Sequence, residues 1–175
     1  MKEHSMLRKG LIGLIISVLL IFIDQLAKNL AVAHLKGQEP IVLWKGVFEL
    51  RYLENRGAAF GILQDQRMFF LILTSLVLIL IIYVYLKKLP NEHRFLWLNI
   101  IAVLFFAGAI GNFIDRFMQD YVVDFFYFCL IDFPIFNVAD IYVTVAAFLL
   151  ILLGFFYYKE EDFERIFPSK KKESV

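Results

Sequence analysis

The chain has 175 residues, of which 61% are hydrophobic, and its formal net charge is +1. Soluble domains are about 45–50% apolar, so this composition, with a mean hydropathy of +0.71, predicts one integral membrane domain, 1–175. The near-neutral charge gives no reason to expect nucleic acid as a partner. The lone cysteine, Cys129, excludes an internal disulfide, and the three scattered histidines lack metal-ligand spacing. We therefore expect no metal and no cofactor.

Four apolar segments predict membrane-spanning helices at approximately 11–33, 68–86, 95–114 and 138–158. Each is close to the roughly 20 residues that a spanning helix needs. The first segment follows basic residues, as in a signal peptide, but it is too long and lacks a small-residue cleavage site. We therefore expect it to remain as a helix of the mature protein.

The basic residues predict the orientation of these spans. Most of them lie in the two tails and in the short connection between the second and third spans. Because cytoplasmic loops carry an excess of Lys and Arg, both termini are expected in the cytoplasm. We expect the charged tail, 159–175, to be a frayed end that lies along the membrane.

The two outer connections contain strand patterns. Residues 47–53 partly alternate apolar and polar side chains, and residues 121–127 are rich in β-branched and aromatic ones. The predicted fold class is therefore a mainly α membrane protein, with four transmembrane helices and a small extracytoplasmic β-sheet.

The unusual polar residues are all predicted to lie near the same side of the membrane, the outer one. Ionisable groups at membrane depth are costly, so each is by default a functional hypothesis. The polar residues are Asp24 and Lys28 in span 1, Asn55 before span 2, Asn112, Asp115 and Arg116 at the end of span 3, Asp124 in the next connection, and Asn137 and Asp140 at the start of span 4. The small residue Gly57 lies beside Asn55.

Several of these residues also have a purely structural interpretation. Asp24 and Lys28 are four apart and can neutralise each other on one helix face, or they can position lipid or substrate. Asp115 is expected to give structural support. Arg116 is suited equally to support and to binding a phosphate or a carbonyl, and Gly57 to a tight turn or to close approach of a peptide.

The start of span 4 allows the same two interpretations. Asn137 can be an N-cap, which places Asp140 in the first helical turn, where a carboxylate favours the helix dipole. Asp124 lies in apolar surroundings, between Val122-Val123 and Phe125-Phe126. If Asp124 and Asp140 meet, they can share a proton and activate water, as in aspartic proteases. Two aspartates sixteen positions apart are weak evidence alone.

The surrounding motifs make the evidence stronger. The sequence resembles the lipoprotein signal peptidases, or signal peptidase II, in four stretches that follow the order of that family: DQLAK at Asp24–Lys28, NRGAAFG at Asn55–Gly61, GNFIDR at Gly111–Arg116 continuing to VVDF at Val122–Phe125, and FNVAD at Phe136–Asp140.

The resemblance implies an aspartic endopeptidase with Asp124 and Asp140 as its catalytic dyad. It implies that Asn55, Asn112, Arg116 and Asn137 line the site. Supporting roles follow for Gly57, Asp24, Lys28 and Asp115. The family cleaves diacylglyceryl-modified bacterial prolipoproteins just before the lipid-modified cysteine, and its outer strands form a cradle over the site.

The resemblance also sets the expected location and partners. We expect a multi-pass protein of the bacterial cytoplasmic membrane, surrounded by membrane lipids and monomeric, with its site at the outer face. Two other functions remain open at this point: a membrane proton or ion relay or lipid-binding transport protein, and a non-enzymatic assembly factor. The inner halves of the spans contain almost no polar residues, which argues against a path for ions.

Overall fold

The computed structural model describes residues 2–57 and 63–168. It confirms a mainly helical chain, with four helices long and apolar enough to cross a membrane. They are α1 (Lys2–Leu35), α2 (Arg67–Tyr83), α3 (Leu96–Gln119) and α4 (Val138–Phe156). Large apolar side chains remain exposed along all four helices, as expected where hydrocarbon replaces water as the solvent.

The helix limits differ from those predicted by hydropathy. α1 extends beyond the predicted 11–33 at both ends, and α3 continues five residues past 114. α2 is prolonged by one π-helical turn, Val84–Lys88, while α4 stops at Phe156 rather than 158. Apolar composition locates the part of a helix that lies in lipid, whereas backbone hydrogen bonding continues into the polar residues beyond it.

A three-stranded antiparallel sheet is formed by the connections between α1 and α2 and between α3 and α4. Its strands, in the order β1-β2-β3, are β1 (Ile41–Trp44), β2 (Phe48–Asn55) and β3 (Val122–Tyr127). The patterns at 47–53 and 121–127 correspond to β2 and β3. Strand β1 was missed because its IVLW run is continuously apolar. The β1–β2 hairpin turns at Gly46, whose φ of 73° favours glycine.

The sheet is fixed to the end of α1. Ala31 and Leu35 of α1 form one buried cluster with Val123 and Phe125 of β3. β3 begins soon after α3, whose C-cap residue, Asp120, is in the left-handed conformation, φ 70°. This arrangement brings the β3 backbone close to the C-terminal ends of α1 and α3.

The expectation of a frayed tail is wrong for part of the C-terminus. Residues Glu160–Ile166 form a fifth helix, α5. Ile166 is buried in a cluster with Phe95, and Arg94 donates to both carboxylate oxygens of Asp162 at 3.2 and 2.6 Å. The apolar residues of this short helix therefore pack against the start of α3. The rest of the predicted tail, 169–175, lies outside the described residues.

Helices α3 and α4 approach each other closely at two glycines. A Cβ added to Gly108 would lie 2.6 Å from the backbone oxygen of Ala139. One added to Gly111 would lie 3.1 Å from the Cβ of Ala139 and would also meet the carboxylate of Asp24 in α1. Small residues permit such backbone contact between membrane helices. The close approach brings Asn112 of α3 to the first turn of α4.

Candidate active site

Asp124 and Asp140 lie on the wall of one cavity of about 570 Å³. Asp124 is in the middle of β3, and Asp140 is in the first turn of α4. The Asp124 carboxylate accepts from the side-chain amides of Asn55 at 2.8 Å and Asn137 at 2.6 Å. The Asp140 carboxylate accepts from the side-chain amide of Asn112 at 2.8 Å and the backbone N–H of Asn137 at 3.1 Å. Asn137 therefore bridges the two aspartates.

The three asparagines are oriented by their other hydrogen bonds. The side-chain oxygen of Asn55 accepts from the N–H of Gly57 at 3.0 Å, and that of Asn137 accepts from the N–H of Asp140 at 3.0 Å. The oxygen of Asn112 accepts from the Lys28 ammonium at 2.9 Å. With each oxygen occupied by a donor, each NH₂ group has to point toward an aspartate.

A buried ionic cluster lies behind this wall. Lys28 forms ion pairs with Asp24 at 2.9 Å and with Asp115 at 3.0 Å. Together with the bond to Asn112, these contacts use all three donors of the ammonium group. The structure thus contains the Asp24–Lys28 pair that their spacing predicts and places Asp115 on the same ammonium group. The supporting roles of these residues stay predictions.

The two supporting carboxylates also hold the backbone beside each candidate aspartate. Asp24 accepts from the N–H of Ala139 at 2.8 Å, one residue before Asp140. Asp115 accepts from the N–H of Val123 at 3.2 Å, one residue before Asp124. Lys28 therefore connects the start of α4 to β3, and this connection fixes the relative positions of the two carboxylates.

Arg116 reaches the cavity from the C-terminal end of α3. Its guanidinium group lies 4.6 Å from the ring centre of Phe70 and donates to the backbone oxygen of Gly57 at 2.9 Å. Arg67 in turn donates to the backbone oxygen of Arg116 at 2.9 Å. The cation is therefore held at its backbone and at its side chain.

The environment of Asp124 disfavours its charge. The residue is 1% exposed, and burial, followed by the negative charge of Asp140, raises its pKa to about 7, although Asn55 and Asn137 donate to it. A carboxyl group with this pKa can hold or release a proton near neutral pH.

The predicted residues occupy two layers. Those on the cavity wall are Asn55, Asn112, Arg116, Asp124 and Asp140. Those that do not line it are Asp24, Lys28, Gly57, Asp115 and Asn137. Asn137, expected to line the site, is fully buried and does not reach the cavity. As the N-cap of α4, it has to turn its side chain back toward the backbone.

Two residues of this network were missed. Gln25 donates to Asp115 at 2.9 Å and to the backbone oxygen of Gly111 at 3.2 Å. Arg67 holds the end of α3. A polar side chain next to Asp24 inside an apolar helix was the available signal for Gln25, and a cation at the start of a span was the signal for Arg67.

Comparison with solved structures defines the class of the protein. Two structures of bacterial membrane enzymes superpose on it with TM-scores of 0.72 and 0.73, at 30% and 32% sequence identity. They cover 93% and 83% of this chain, and in each case 94% of the other chain is matched. The fold is therefore that of a multi-pass membrane enzyme.

Sequence comparison identifies the family. The family model described as signal peptidase (SPase) II matches residues 16–156. A lipoprotein signal peptidase of Streptococcus thermophilus is 49% identical over 143 residues, which cover 82% of this chain and 90% of the relative. One of Streptococcus pyogenes is 44% identical over 146 residues, covering 83% and 92%. The chain belongs to the signal peptidase II family and is an aspartic peptidase.

Proposed function

We propose that this peptidase removes signal peptides from diacylglyceryl-modified bacterial prolipoproteins, cleaving just before the lipid-modified cysteine. Asp124 and Asp140 are the catalytic dyad. The observation that carries this proposal is the pair of carboxylates on one cavity wall, bridged by Asn137. Membership of the family supports the substrate class.

In the proposed reaction the pair holds one proton. The ionised aspartate takes a proton from water while the protonated one donates to the carbonyl oxygen of the scissile peptide. The water oxygen bonds to the carbonyl carbon and forms a gem-diol. Its C–N bond then breaks, and a proton passes to the leaving amine. Because the two carboxyls titrate as a unit, the proton is assigned to the pair.

The remaining wall residues bind the peptide near the dyad. Arg116 is a cation with a fixed planar fork, and such a group is suited to a peptide carbonyl. Asn55 and Asn112 hold the aspartates through N–H donors that their other bonds have already oriented. Lys28, Asp24 and Asp115 position the backbone on both sides, without reaching the cavity.

The rest of the cavity wall matches an amphiphilic substrate. Polar residues share the wall with apolar ones from the β3–α4 connection and from α4, namely Phe128, Ile131, Phe133, Pro134, Ile135, Phe136, Ile141 and Val143. A precursor with acyl chains beside its scissile bond presents both kinds of surface. We propose that the cavity opens at the outer face of the cytoplasmic membrane, with both termini in the cytoplasm and the enzyme monomeric.

The test uses the purified full chain in detergent micelles with two forms of one precursor, one carrying a diacylglyceryl-modified cysteine and one unmodified. We expect release of the signal peptide from the modified form only, with the modified cysteine as the new N-terminus by mass spectrometry. Equal cleavage of both forms, or cleavage at another bond, would contradict the proposed substrate class.

A further inference from the structure

A second cavity, of about 410 Å³, lies between α1 and α3 at the membrane boundary remote from the aspartates. We call it the far groove. Lys9, at the start of α1, and Leu96, at the start of α3, both line it. Asn112 is sixteen residues further along α3, or about 24 Å at 1.5 Å per residue. The far groove is therefore separate from the candidate active site.

Lys9 is a buried cation whose partners, among the residues that the structure describes, are all neutral. The residue is only 7% exposed. Its ammonium group donates to the backbone oxygens of Tyr85 at 2.5 Å and Leu89 at 2.7 Å. The ammonium also lies 4.4 Å from the ring centre of Tyr85. Among the side chains described, those of residues 6–57 and 63–168, no carboxylate forms an ion pair with it. Its partners there are all neutral, so they leave its positive charge uncompensated. A buried charge without a partner is costly.

Asn99 supplies a second incomplete group in the far groove. Its amide NH₂ donates to the backbone oxygens of Pro90 at 3.2 Å and Phe95 at 2.8 Å. Its side-chain oxygen is buried and accepts no hydrogen bond within the described parts of the chain. Buried polar atoms are rarely left unpaired. The groove therefore lacks one anion for Lys9 and one hydrogen-bond donor for Asn99.

The remaining walls of the far groove are suited to hydrocarbon. Ile12 and Ile16 of α1 are 47% and 43% exposed, and Ile100 and Leu104 of α3 complete the apolar lining. Glu92 also lines the groove, but its carboxylate is paired with Arg165 at 2.6 Å. The volume is within the range of small-molecule sites. An occupant has to combine an anionic head with an apolar chain.

We propose that the far groove binds one anionic phospholipid with a hydroxylated headgroup, of the phosphatidylglycerol type. Its phosphate accepts from Lys9, a headgroup hydroxyl donates to the Asn99 oxygen, and an acyl chain lies along Ile12 and Ile16. Basic pockets between membrane helices are suited to such headgroups. A water molecule could donate a hydrogen bond to the Asn99 oxygen, but it would neither neutralise the charge of Lys9 nor cover the apolar wall.

The test is lipid binding by the delipidated full chain in a neutral detergent, followed by native mass spectrometry and thermal unfolding. We expect one phosphatidylglycerol to bind at least roughly tenfold more tightly than phosphatidylcholine, as one charge-assisted hydrogen bond allows, and to raise Tm. Lys9→Gln should remove this preference. Ile16→Trp should also remove it, by filling the groove while Lys9 remains. Asn99→Leu should remove the preference for phosphatidylglycerol over phosphatidic acid, which lacks the headgroup hydroxyl.

Lys87→Gln is the matched control, because Lys87 is an exposed cation at the end of the α2 segment and does not line the far groove. It should bind phosphatidylglycerol like the unchanged chain. Equal weakening by Lys87→Gln and Lys9→Gln would show general surface attraction and overturn the proposal. So would unchanged binding in Ile16→Trp, which decides the matter alone if Lys9→Gln does not fold.

Discussion

The side chains around Asp124 supply hydrogen bonds but no cation within ion-pair distance among the described residues. Burial raises its pKa to about 7, and the charge of Asp140 adds to the effect. A proton on this pair is therefore retained at a pH where an ordinary aspartate would have lost it. The protonation state needed for the proposed reaction thus exists near neutral pH.

The first prediction concerns pH. As the pH rises through about 7, the pair loses its shared proton and kcat/KM for precursor cleavage should fall, because no acid remains to polarise the carbonyl. Cleavage initial rates from pH 5 to 9 measure this effect. Constant kcat/KM across pH 6 to 9 would contradict the assignment.

The raised pKa of Asp124 also makes the stability of the fold depend on pH. Between about pH 4 and about pH 7, folded Asp124 keeps a proton that the unfolded chain releases, because its pKa is raised from 3.8 to about 7. Its contribution to the free energy of unfolding therefore decreases as the pH rises through this window. Asp124→Asn should flatten this part of the Tm–pH curve.

Another prediction at the residue scale concerns Lys28. Lys28→Met leaves Asp24 and Asp115 buried without their cation, and breaking a buried ion pair typically costs about 3–5 kcal/mol. The matched control is Lys36→Met, at the residue that directly follows α1. The Lys36–Glu54 pair lies at the surface, with side-chain exposures of 51% and 30%. That change should cost less than about 1 kcal/mol.

Reversible unfolding in mixed micelles measures both variants. Lys28→Met should also lower kcat for precursor cleavage, since Asn112 loses one of the two donors that orient its amide. Equal stability of the two variants would show that the buried cluster does not hold the site together.

At the scale of elements, α3 and α4 are held at the distance that Gly108 allows. Gly108→Ala places a methyl group against the backbone oxygen of Ala139, and such overpacking typically costs about 1–3 kcal/mol. The shift separates Asn112 from Asp140, so kcat should fall together with Tm.

Gly154→Ala in α4 is the control, because a Cβ there has no neighbour within 4 Å. Tm and cleavage rates measure both substitutions. A Gly108→Ala protein with the Tm and kcat of the Gly154→Ala protein would contradict the role given to this contact.

The elements also show what sequence can predict in this chain. Long apolar runs located the four spanning helices, since hydrocarbon thickness sets their length. Strand β1 was not predicted, because its four consecutive apolar residues show no alternation of apolar and polar side chains. Helix α5 was not predicted, because a short charged helix depends on tertiary packing, here against Phe95. The meeting of Asp124 with Asp140 depends on Asn137, whose buried bridge is set by tertiary structure.

At the scale of the whole molecule, the single cysteine gives a direct test of orientation. Cys129 lies between β3 and α4 and is partly exposed. We expect a membrane-impermeant maleimide to label it in intact protoplasts or spheroplasts, because the proposed orientation places the candidate site at the outer face of the membrane. In a Cys129→Ser background, Lys87→Cys should be labelled only after permeabilisation. The opposite pattern would reverse the proposed topology.

The measurement that tests the account most directly is precursor cleavage by purified Asp124→Asn and Asp140→Asn, with Asp132→Asn as the control. Asp132 is exposed in the same connection, and asparagine tolerates its left-handed backbone, φ 48°. Loss of either dyad member should reduce kcat by about 10²–10⁴-fold or more while the protein still inserts and folds. Asp132→Asn should cleave normally. Normal cleavage by either dyad variant would contradict the assignment of Asp124 and Asp140 as the catalytic pair.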